Sequence, residues 1–429
     1  MNVRRTCTVG LIVDEGTEKR LRRLCDLSSK LWNEVNHIRL KMWREKRPVD
    51  FKATYREFYE KYKPLIGAAT AQTIIRKNND AWKTFFRLLE LKKEGRLPPF
   101  MRKIKPPGLG KRNSSRTLWV AVRKDQYEMD GERIVIKWLG AIGWIEVKFK
   151  GPVYLRGERG ELKICYDADG KRWYASITFN VSEKAVRGEW RPVPKQPKGN
   201  LMAGIDIGVI NLMAVYVENG LTKLVNGKPL KAISFYWRER ISKYQSMLNK
   251  YGLETSKRLR RMYTKWRRQI KYYINTKVRE VIEWLYDVGV STIKVGYPKY
   301  IAQENGDFDN NNCVWTYGLL LRRIREIAEE YGIKVIYVDE GGTSSRCPWH
   351  GDGCGVRIYR GLFKCMTMNK VFNADIAAAR NILMTATSNN TSMTPVTPES
   401  RRGIGGNGRR PGQGLNPQKG DVAQTSPPK

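Results

Sequence analysis

The sequence predicts a two-part fold, in which a small antiparallel β-sheet or barrel is followed by a mixed α/β sheet with helices on both faces. Two observations support it. Strands and helices alternate along the second half of the chain, which is the order typical of α/β domains. In the first half, one strand precedes a helical block and several short β-rich runs follow that block. We therefore expect the first strand to pair with the later sheet, which makes the helical block an insertion.

Size and charge narrow the class of protein. The 429 residues suggest two to four folded units. Lys and Arg number 80 against 42 Asp and Glu, so the net charge is +38, while 41% hydrophobic residues allow a folded core. A polyanion such as nucleic acid is the expected partner. We find no apolar run of about 18 residues and no signal peptide, so we expect a cytoplasmic protein with no membrane partner.

The first half of the chain begins with a strand and continues as helices. Residues Val3–Val13 alternate in polarity as a strand does, and Asp14-Glu15-Gly16 is expected to form the turn that ends it. Short runs rich in β-forming residues over 116–182 predict the antiparallel sheet or barrel. Helical apolar spacing covers Leu21–Met42, Phe51–Tyr62 and Ala69–Lys93.

The second half of the chain begins after a segment with three prolines, Arg187–Asn200, which we interpret as a linker. Residues Leu201–Glu218 predict a strand, a tight turn and a second strand. A helical pair over Phe235–Asp287 follows. Strands are then predicted at Ser291–Gly296 and Ile333–Glu340, and helices at Trp315–Tyr331 and Asn373–Met384. No aromatic residue occurs after Ala386, so we expect a disordered tail.

Three acidic residues occur where the predicted strands end or the last helix begins. Asp206 lies within an apolar strand between Gly204 and Gly208, Glu340 follows a strand, and Asp375 opens the last helix. A buried lone carboxylate is costly unless it is paired or bound to metal, so we expect the three to converge. Three acids suffice for magnesium, and two such ions can promote phosphodiester hydrolysis. Alternatively, Asp206 is structural and Asp375 is only a helix N-cap.

A second group of ligands lies between the last two acids. Cys347, His350, Cys354 and Cys365 form the pattern C-x2-H-x3-C-x10-C, which suits one tetrahedral zinc ion. Met368 occupies the position where a second C-x2-C pair would end, so His350 is the expected fourth ligand. The alternative is three reduced thiols in a loop without metal.

These motifs in this order resemble the TnpB family of RNA-guided nucleases, which IS200/IS605-type transposons encode and which are related to type V CRISPR effectors. The resemblance covers about residues 1–385. It is carried by the strand with Asp206, the basic helical pair, the run Thr343-Ser344-Ser345-Arg346-Cys347 and the helix that begins Asn373-Ala374-Asp375. It implies an α/β RNase H-like (RuvC) nuclease domain with an inserted zinc knuckle, plus a β-barrel wedge domain that carries an inserted helical recognition domain, in a bilobed molecule.

The resemblance implies a set of domain boundaries. These are 1–14 for the first wedge strand, 15–112 for the helical recognition domain, 113–186 for the wedge barrel, 187–200 for the linker, 201–342 for the RuvC-like domain with a basic helical pair at 235–287, 343–372 for a zinc knuckle that binds target nucleic acid, 373–385 for the last RuvC helix and 386–429 for the disordered tail.

The resemblance also implies an activity and its partners. The family cleaves double-stranded target DNA next to a short adjacent motif, directed by a guide RNA made from the transposon end. We therefore expect a prokaryotic, nucleoid-associated endonuclease with two magnesium ions and one structural zinc ion. Two alternatives stay open: an RNA-guided DNA-binding regulator that does not cut, and an unguided resolvase or transposase of the same fold.

The sequence departs from the family at its second acid. Gly296 occupies the strand end where the family has a glutamate. We expect Glu340, 44 residues further on at the end of a neighbouring parallel strand, to replace it. Glu304, in the loop after Pro298, is the competing candidate. A rearranged glutamate of this kind also resembles the eukaryotic Fanzor proteins and some TnpB branches.

Basic residues are concentrated on the helical pair. Between Trp237 and Arg268 there are eleven Lys or Arg against two acids, with aromatic residues between them, a pattern that favours phosphate contacts. The candidate residues here are Arg258, Arg261, Lys265 and Arg268, and on the helical block Gln72, Arg76 and Lys77 are the candidates for contacting the adjacent motif.

Overall fold

The computed structural model describes residues 2–95, 104–110, 118–168, 170–186, 188–297, 317–339, 343, 346–351, 353–359 and 361–385. These residues form three β-sheets of eight, five and three strands, together with the helices that cover them. The predicted disordered tail, Glu304 and Glu340 lie outside the described residues. No helix among the described residues is both long enough and apolar enough to cross a bilayer.

The helical block follows the first strand directly. Asp14 is the N-cap of the first helix, and its carboxylate accepts a hydrogen bond of 2.8 Å from the backbone N–H of Thr17. The predicted turn at Asp14-Glu15-Gly16 is therefore wrong, because the capped helix already begins at Glu15. The three helices are α1 (Glu15–Arg44), α2 (Phe51–Ile66) and α3 (Ala68–Lys93).

The first strand belongs to the sheet that the later strands form, as the sequence predicts. The strands are β1 (Arg4–Ile12), β2 (Trp119–Val122), β3 (Tyr127–Asp130), β4 (Arg133–Ile136), β5 (Ile145–Lys150), β6 (Leu155–Asp167), β7 (Arg172–Val186) and β8 (Glu189–Pro192). Their order is β2-β6-β7-β1-β5-β4-β3, with β8 paired to β7. Strand β1 is antiparallel to both β7 and β5, so the helical block is inserted into this sheet.

The eight-stranded sheet curls so that β3, at one edge, contacts β6, the second strand from the other edge. The Tyr127 hydroxyl on β3 donates to the Gly160 carbonyl on β6 at 3.1 Å, and the Arg159 guanidinium on β6 donates to the Met129 carbonyl at 3.3 Å. These contacts make the sheet a nearly closed barrel.

The segment predicted as a linker is partly structured. Strand β8 extends the sheet beside β7, and the Arg156 guanidinium carbon lies 3.9 Å from the centroid of the Trp190 ring. The prolines of this segment suggested an unpaired chain, but a short edge strand tolerates proline because one of its sides needs no hydrogen bonds.

The second sheet is mixed. Its strands are β9 (Leu201–Asp206), β10 (Asn211–Val217), β11 (Thr222–Asn226), β12 (Val290–Tyr297) and β13 (Lys334–Asp339), in the order β11-β10-β9-β12-β13. Strands β9, β12 and β13 are parallel, whereas β10 and β11 are antiparallel additions. The accompanying helices are α4 (Lys228–Lys250), α5 (Lys257–Val288), α6 (Tyr317–Glu330) and α7 (Ala374–Met384).

Helices cover both faces of this mixed sheet, as predicted. Ala203 and Ile205 of β9 share a buried apolar core with residues of α5 and α6. Gly204 faces the other way, towards α7, where a Cβ atom would lie 2.0 Å from the Ala379 carbonyl. Glycine therefore lets α7 lie directly on β9.

A buried charge cluster joins the barrel to the mixed sheet. Glu330 at the end of α6 is buried and lies 2.7 Å from Lys184 of β7, 3.6 Å from Arg5 of β1 and 3.6 Å from Arg279 of α5. Burial alone would raise the pKa of the Glu330 carboxyl, but the three cations outweigh it and hold this pKa below its ordinary value. The buried Glu330 carboxylate at this junction is therefore compensated by three cations.

The third sheet is small and immediately precedes α7. It consists of β14 (Gly355–Tyr359), β15 (Leu362–Cys365) and β16 (Lys370–Asn373), all antiparallel. Phe363 and Cys365 of β15 are buried and pack with Cys347, which precedes the sheet.

Candidate active site and metal centre

The carboxyl ends of three parallel strands meet at one edge of the mixed sheet. Ile205 of β9 pairs with Val295 of β12, so Asp206 and Gly296 are the next residues in register. Gly296 in turn pairs with Val338 of β13. Open α/β sheets place their sites at this edge. Asp206, the last residue of β9, therefore lies at this edge.

Asp375 is brought to the same edge by α7, the helix that packs on β9. It is the second residue of α7, and Asn373 is the N-cap, whose side-chain oxygen accepts hydrogen bonds from the backbone N–H groups of Asp375 (3.0 Å) and Ile376 (3.1 Å). The alternative that Asp375 is only an N-cap is therefore wrong. Because Asn373 satisfies the helix terminus, the Asp375 carboxylate is available for other contacts.

Two side chains that sequence reasoning missed contact the Asp375 carboxylate. The Asn211 amide, at the start of β10, donates to Asp375 Oδ2 at 2.7 Å. An Nη atom of Arg357, on β14, lies 3.9 Å from Asp375 Oδ1. Neither residue carries a sequence signal, because each meets Asp375 only through the fold.

Asp206 and Asp375 are close enough to repel each other electrostatically. Burial raises the pKa of Asp206, and the negative charge of Asp375 raises it further, to about 7, against a smaller opposing effect of Arg357. Two carboxylates in one partly buried position carry an excess of negative charge. Hard oxygen ligands of this kind fit a divalent cation such as magnesium.

The third predicted carboxylate is not placed. Strand β13 ends at Asp339, and Glu340 and Glu304 both lie outside the described residues. Gly296 is buried between β9 and β13 and contributes no carboxylate. The replacement of the missing acid by Glu340 therefore stays a prediction.

A buried lysine helps to position α7. The Lys294 ammonium, on β12, donates to the carbonyls of Leu383 and Thr385, both at 2.8 Å, and so satisfies the carboxyl end of the helix. Lys294 pairs with Gly204 of β9, the residue on which α7 lies. A single lysine within an apolar strand was the available sequence signal for this contact.

The four predicted zinc ligands come together. Their ligand atoms all lie within 4.8 Å of one another. His350 Nδ1 lies 3.3 Å from the sulfur of Cys365 and 3.7 Å from that of Cys347, and the sulfurs of Cys354 and Cys365 are 3.8 Å apart. A tetrahedral site with zinc–sulfur bonds of about 2.3 Å needs sulfur–sulfur separations of about 3.8 Å. The donors therefore fit one zinc ion, with His350 as the fourth ligand.

Helix α7 also anchors the knuckle that contains these ligands. The Asn381 amide donates to the carbonyls of Thr343 (2.8 Å) and Arg346 (2.9 Å). The Arg380 guanidinium carbon lies 4.8 Å from the centroid of the Trp349 ring, and this guanidinium also donates to the Pro348 carbonyl. One helix therefore carries Asp375 at its start and fixes the knuckle that presents Arg357.

The predicted nucleic-acid contacts differ in their availability. The four basic candidates on α5 are exposed, and the guanidinium carbon of Arg258 lies 5.1 Å from the Tyr244 ring centroid. On α3, Gln72 accepts a hydrogen bond of 3.2 Å from Arg123, and Lys77 is paired with Glu161 at 2.9 Å. The four exposed candidates on α5 are Arg258, Arg261, Lys265 and Arg268. The third candidate on α3, Arg76, is also exposed.

Two family models match the chain. A model described as a probable transposase, OrfB_IS605, matches residues 178–302. A model described as the Cas12f1-like TNB domain matches residues 317–382. The two matches cover the mixed sheet, the basic helical pair and the knuckle with α7.

Two curated proteins are similar in sequence. The TnpB-like protein ORF457 of Acidianus two-tailed virus is 36% identical over 404 residues, which cover 89% of this chain and 87% of the relative. The CRISPR-associated endodeoxyribonuclease Cas12f1 of Sulfoacidibacillus thermotolerans is 31% identical over 237 residues, which cover 51% of this chain and 52% of the relative.

A solved structure shares the fold. The cryo-EM structure of a Cas12f1–sgRNA–target DNA complex superimposes with a TM-score of 0.57 at 16% identity, over 86% of this chain and 82% of that protein. At this identity the likeness concerns the fold alone.

Proposed function

Because the chain belongs to the TnpB family, as its similarity to the viral TnpB-like protein over most of both chains shows, we propose that it is an RNA-guided DNA endonuclease. The observation that carries the proposal is the pair of carboxylates, Asp206 and Asp375, at the carboxyl edge of the mixed sheet, where open α/β folds bind their ligands. The related Cas12f1 is named an endodeoxyribonuclease, and the solved complex with the shared fold contains a guide RNA and target DNA.

The domains follow from this proposal. The barrel (1–14 and 113–186) is the wedge, and the helices inserted into it (15–112) are the recognition domain. The mixed sheet and α7 are the RuvC-like nuclease, and the segment 343–372 is the zinc knuckle. The exposed basic face of α5 is the surface we assign to nucleic-acid phosphates.

The nuclease site is built to hold divalent cations against a phosphodiester. Asp206 and Asp375 would hold magnesium together with Glu340, and bound magnesium supplies Lewis-acid activation of water and of the scissile phosphate. Asn211 fixes the orientation of the Asp375 carboxylate by its hydrogen bond of 2.7 Å. Arg357, half-exposed beside the same carboxylate, offers a cation to a non-bridging phosphate oxygen.

The knuckle has a structural role in this proposal. Three thiols and His350 would hold one zinc ion, and a zinc site with four protein ligands leaves no open position for chemistry. Burial raises the pKa of Cys347, but hydrogen bonds from the backbone N–H groups of Trp349 and His350 and from the side chains of Cys354 and His350 together outweigh it and lower this pKa, which favours the thiolate that zinc requires.

The test is cleavage of DNA by the protein purified with its own RNA, in the presence of magnesium. We expect cutting of DNA that matches the RNA and no cutting of mismatched DNA. Stable binding of matched DNA without cutting would support the regulator, which the absence of a carboxylate at Gly296 favours. Cutting by protein freed of RNA would support the unguided resolvase or transposase.

The identity of the third carboxylate can be tested with two conservative variants. In the sequence, Glu340 comes directly after Asp339, where β13 ends at the same sheet edge as Asp206, whereas Glu304 comes between β12 and α6. We expect Glu340→Gln to abolish cleavage and Glu304→Gln to retain it, measured as single-turnover rates on matched DNA. Equal activity of the two variants would contradict the assignment of Glu340.

A further inference from the structure

Two exposed tryptophans flank the loop between β4 and β5, at one end of the barrel. Trp138 is 62% exposed and Trp144 is 58% exposed, and no other tryptophan in the described part of the chain is as exposed. A hydrogen bond of 3.3 Å from the Leu139 N–H to the Gly143 carbonyl closes the loop between them. Large aromatic rings usually bury most of their surface, so an exposed pair indicates an interaction surface.

The backbone at Trp138 has an unfavourable conformation. Its φ angle is +55°, in the left-handed region that bulky side chains rarely adopt. The turn between α2 and α3 holds the loop there, because a Cβ atom on Gly67 would lie 1.9 Å from the Trp138 carbonyl and one on Gly140 would lie 2.4 Å from the Pro64 carbonyl. Glycine or asparagine would fit this position at lower cost. Strain of this kind is concentrated at functional positions.

Basic side chains lie near Trp144 and along the strand that follows it. The Lys137 ammonium, which is paired with Glu128 at 2.6 Å, lies 5.4 Å from the centroid of the Trp144 ring, and the Arg20 guanidinium donates to the Trp144 backbone carbonyl at 2.8 Å. Lys148 and Lys150 follow on the solvent face of β5, and within the described residues neither forms an ion pair. Exposed aromatic rings beside cations are the usual means of binding nucleobases together with their phosphates.

We propose that Trp138 and Trp144 form a stacking platform for unpaired bases of the RNA that the protein carries. This inference rests on the proposed function. Strand β1 runs from Arg5, at the ionic junction with the nuclease sheet, to Ile12, which pairs with Lys148 of β5. Seven residue steps along a strand span about 23 Å, so the platform lies at the barrel end remote from that junction.

The distance of the tryptophan platform from the nuclease sheet favours RNA over target DNA as its ligand. The DNA strand that is cut must reach the carboxylates of the nuclease sheet, whereas the body of a folded RNA can extend along the whole barrel. Folded RNA also presents unpaired loop bases, which proteins commonly recognise by stacking on aromatic side chains.

The test compares Trp138→Asn with the parent protein in filter binding of the RNA that copurifies with the parent. Asparagine tolerates the left-handed backbone, so the variant should unfold at the same temperature as the parent or higher. Loss of one stacked base should weaken RNA affinity about 10-fold. Trp138→Tyr should restore most of the affinity, and Leu224→Ala, at a residue 45% exposed on β11, should leave it unchanged.

Two results would overturn the platform. The first is parental RNA affinity in a Trp138→Asn, Trp144→Ala double variant. The second is unchanged RNA affinity combined with weaker binding of matched DNA by the RNA-loaded variant, which would assign the rings to DNA. A parent protein that binds no RNA would instead contradict the proposed function itself.

Discussion

At the scale of single residues, the Asp206 carboxyl gives the site a dependence on pH. Its pKa rises from an ordinary value of 3.8 to about 7 in the folded, metal-free protein. Between these values the folded chain keeps a proton that the unfolded chain has lost. The free energy of unfolding should therefore fall as the pH rises from about 4 to 7, by at most about 1.4 kcal/mol per pH unit.

The variant Asp206→Asn should lack this slope. It should unfold at a higher temperature than the parent at pH 8, because it carries no buried negative charge beside Asp375. Magnesium should stabilise the parent at pH 8 and much less at pH 5, where the cation must displace a proton. The measurement is thermal unfolding in a pH series with and without magnesium. The control variant is Glu239→Gln, because Glu239 forms an exposed ion pair with Lys243. A variant with the same pH slope as the parent would contradict the assigned pKa.

The sequence predicts the two placed carboxylates but not their supports. Asp206 is recognisable because a carboxylate within an apolar strand needs a partner, and Asp375 because it opens a helix late in the chain. Asn211 is 164 positions away from Asp375 along the chain, so their contact arises only from the fold. The same reason explains why Arg357 could not be identified.

At the scale of secondary-structure elements, the position of α7 on the sheet sets the distance between the two carboxylates. In Gly204→Ala the new methyl group would lie 2.0 Å from the Ala379 carbonyl, so α7 must move. Overpacking of this kind costs about 1–3 kcal/mol of stability. A displacement near 1 Å should reduce cleavage about 100-fold while RNA affinity is retained.

The matched control is Gly318→Ala on α6, where an added methyl group meets no atom of the described residues within 4 Å. Alanine also has the better helix propensity, so this variant should be as stable as the parent or slightly more stable. Both variants should be measured by thermal unfolding and by single-turnover cleavage. Parental cleavage by Gly204→Ala would show that the close packing of α7 is not required.

The knuckle gives a prediction that depends on metal content. Cys347→Ser removes one of four donors that lie within 4.8 Å of one another, so it should lower the zinc content of the purified protein. Elemental analysis should find about one zinc ion per chain in the parent. Cys165→Ala, at a buried thiol in the barrel, should keep the parental zinc content. A parent without zinc would remove the site.

Elements with a strong apolar period could be predicted from the sequence, and short edge elements could not. The stripe from Leu21 to Met42 predicts α1, because one face of the helix must be buried. Strands β8 and β11 have four and five residues and few buried side chains, so their patterns are too short to recognise. Asp14 was misinterpreted because turns and helix N-caps favour the same residue type.

At the scale of the whole molecule, the order of the elements already indicates the insertion of the helical block into the barrel. A strand that precedes helices needs partners, and the only nearby β-rich region follows those helices. What the order does not indicate is the ionic junction at Glu330, because its partners Arg5, Lys184 and Arg279 come from three separate elements. Charged residues in a chain of net charge +38 give no sign of which of them will be buried.

The central claim is that Asp206 and Asp375 together hold the cations that cleave DNA. The most direct measurement is magnesium-dependent cleavage of matched DNA by RNA-loaded parent, Asp206→Ala and Asp375→Ala, with RNA and DNA binding measured on the same samples. We predict that both variants bind RNA and matched DNA as the parent does and cut at the background rate. Cleavage at the parental rate by either variant would contradict the claim.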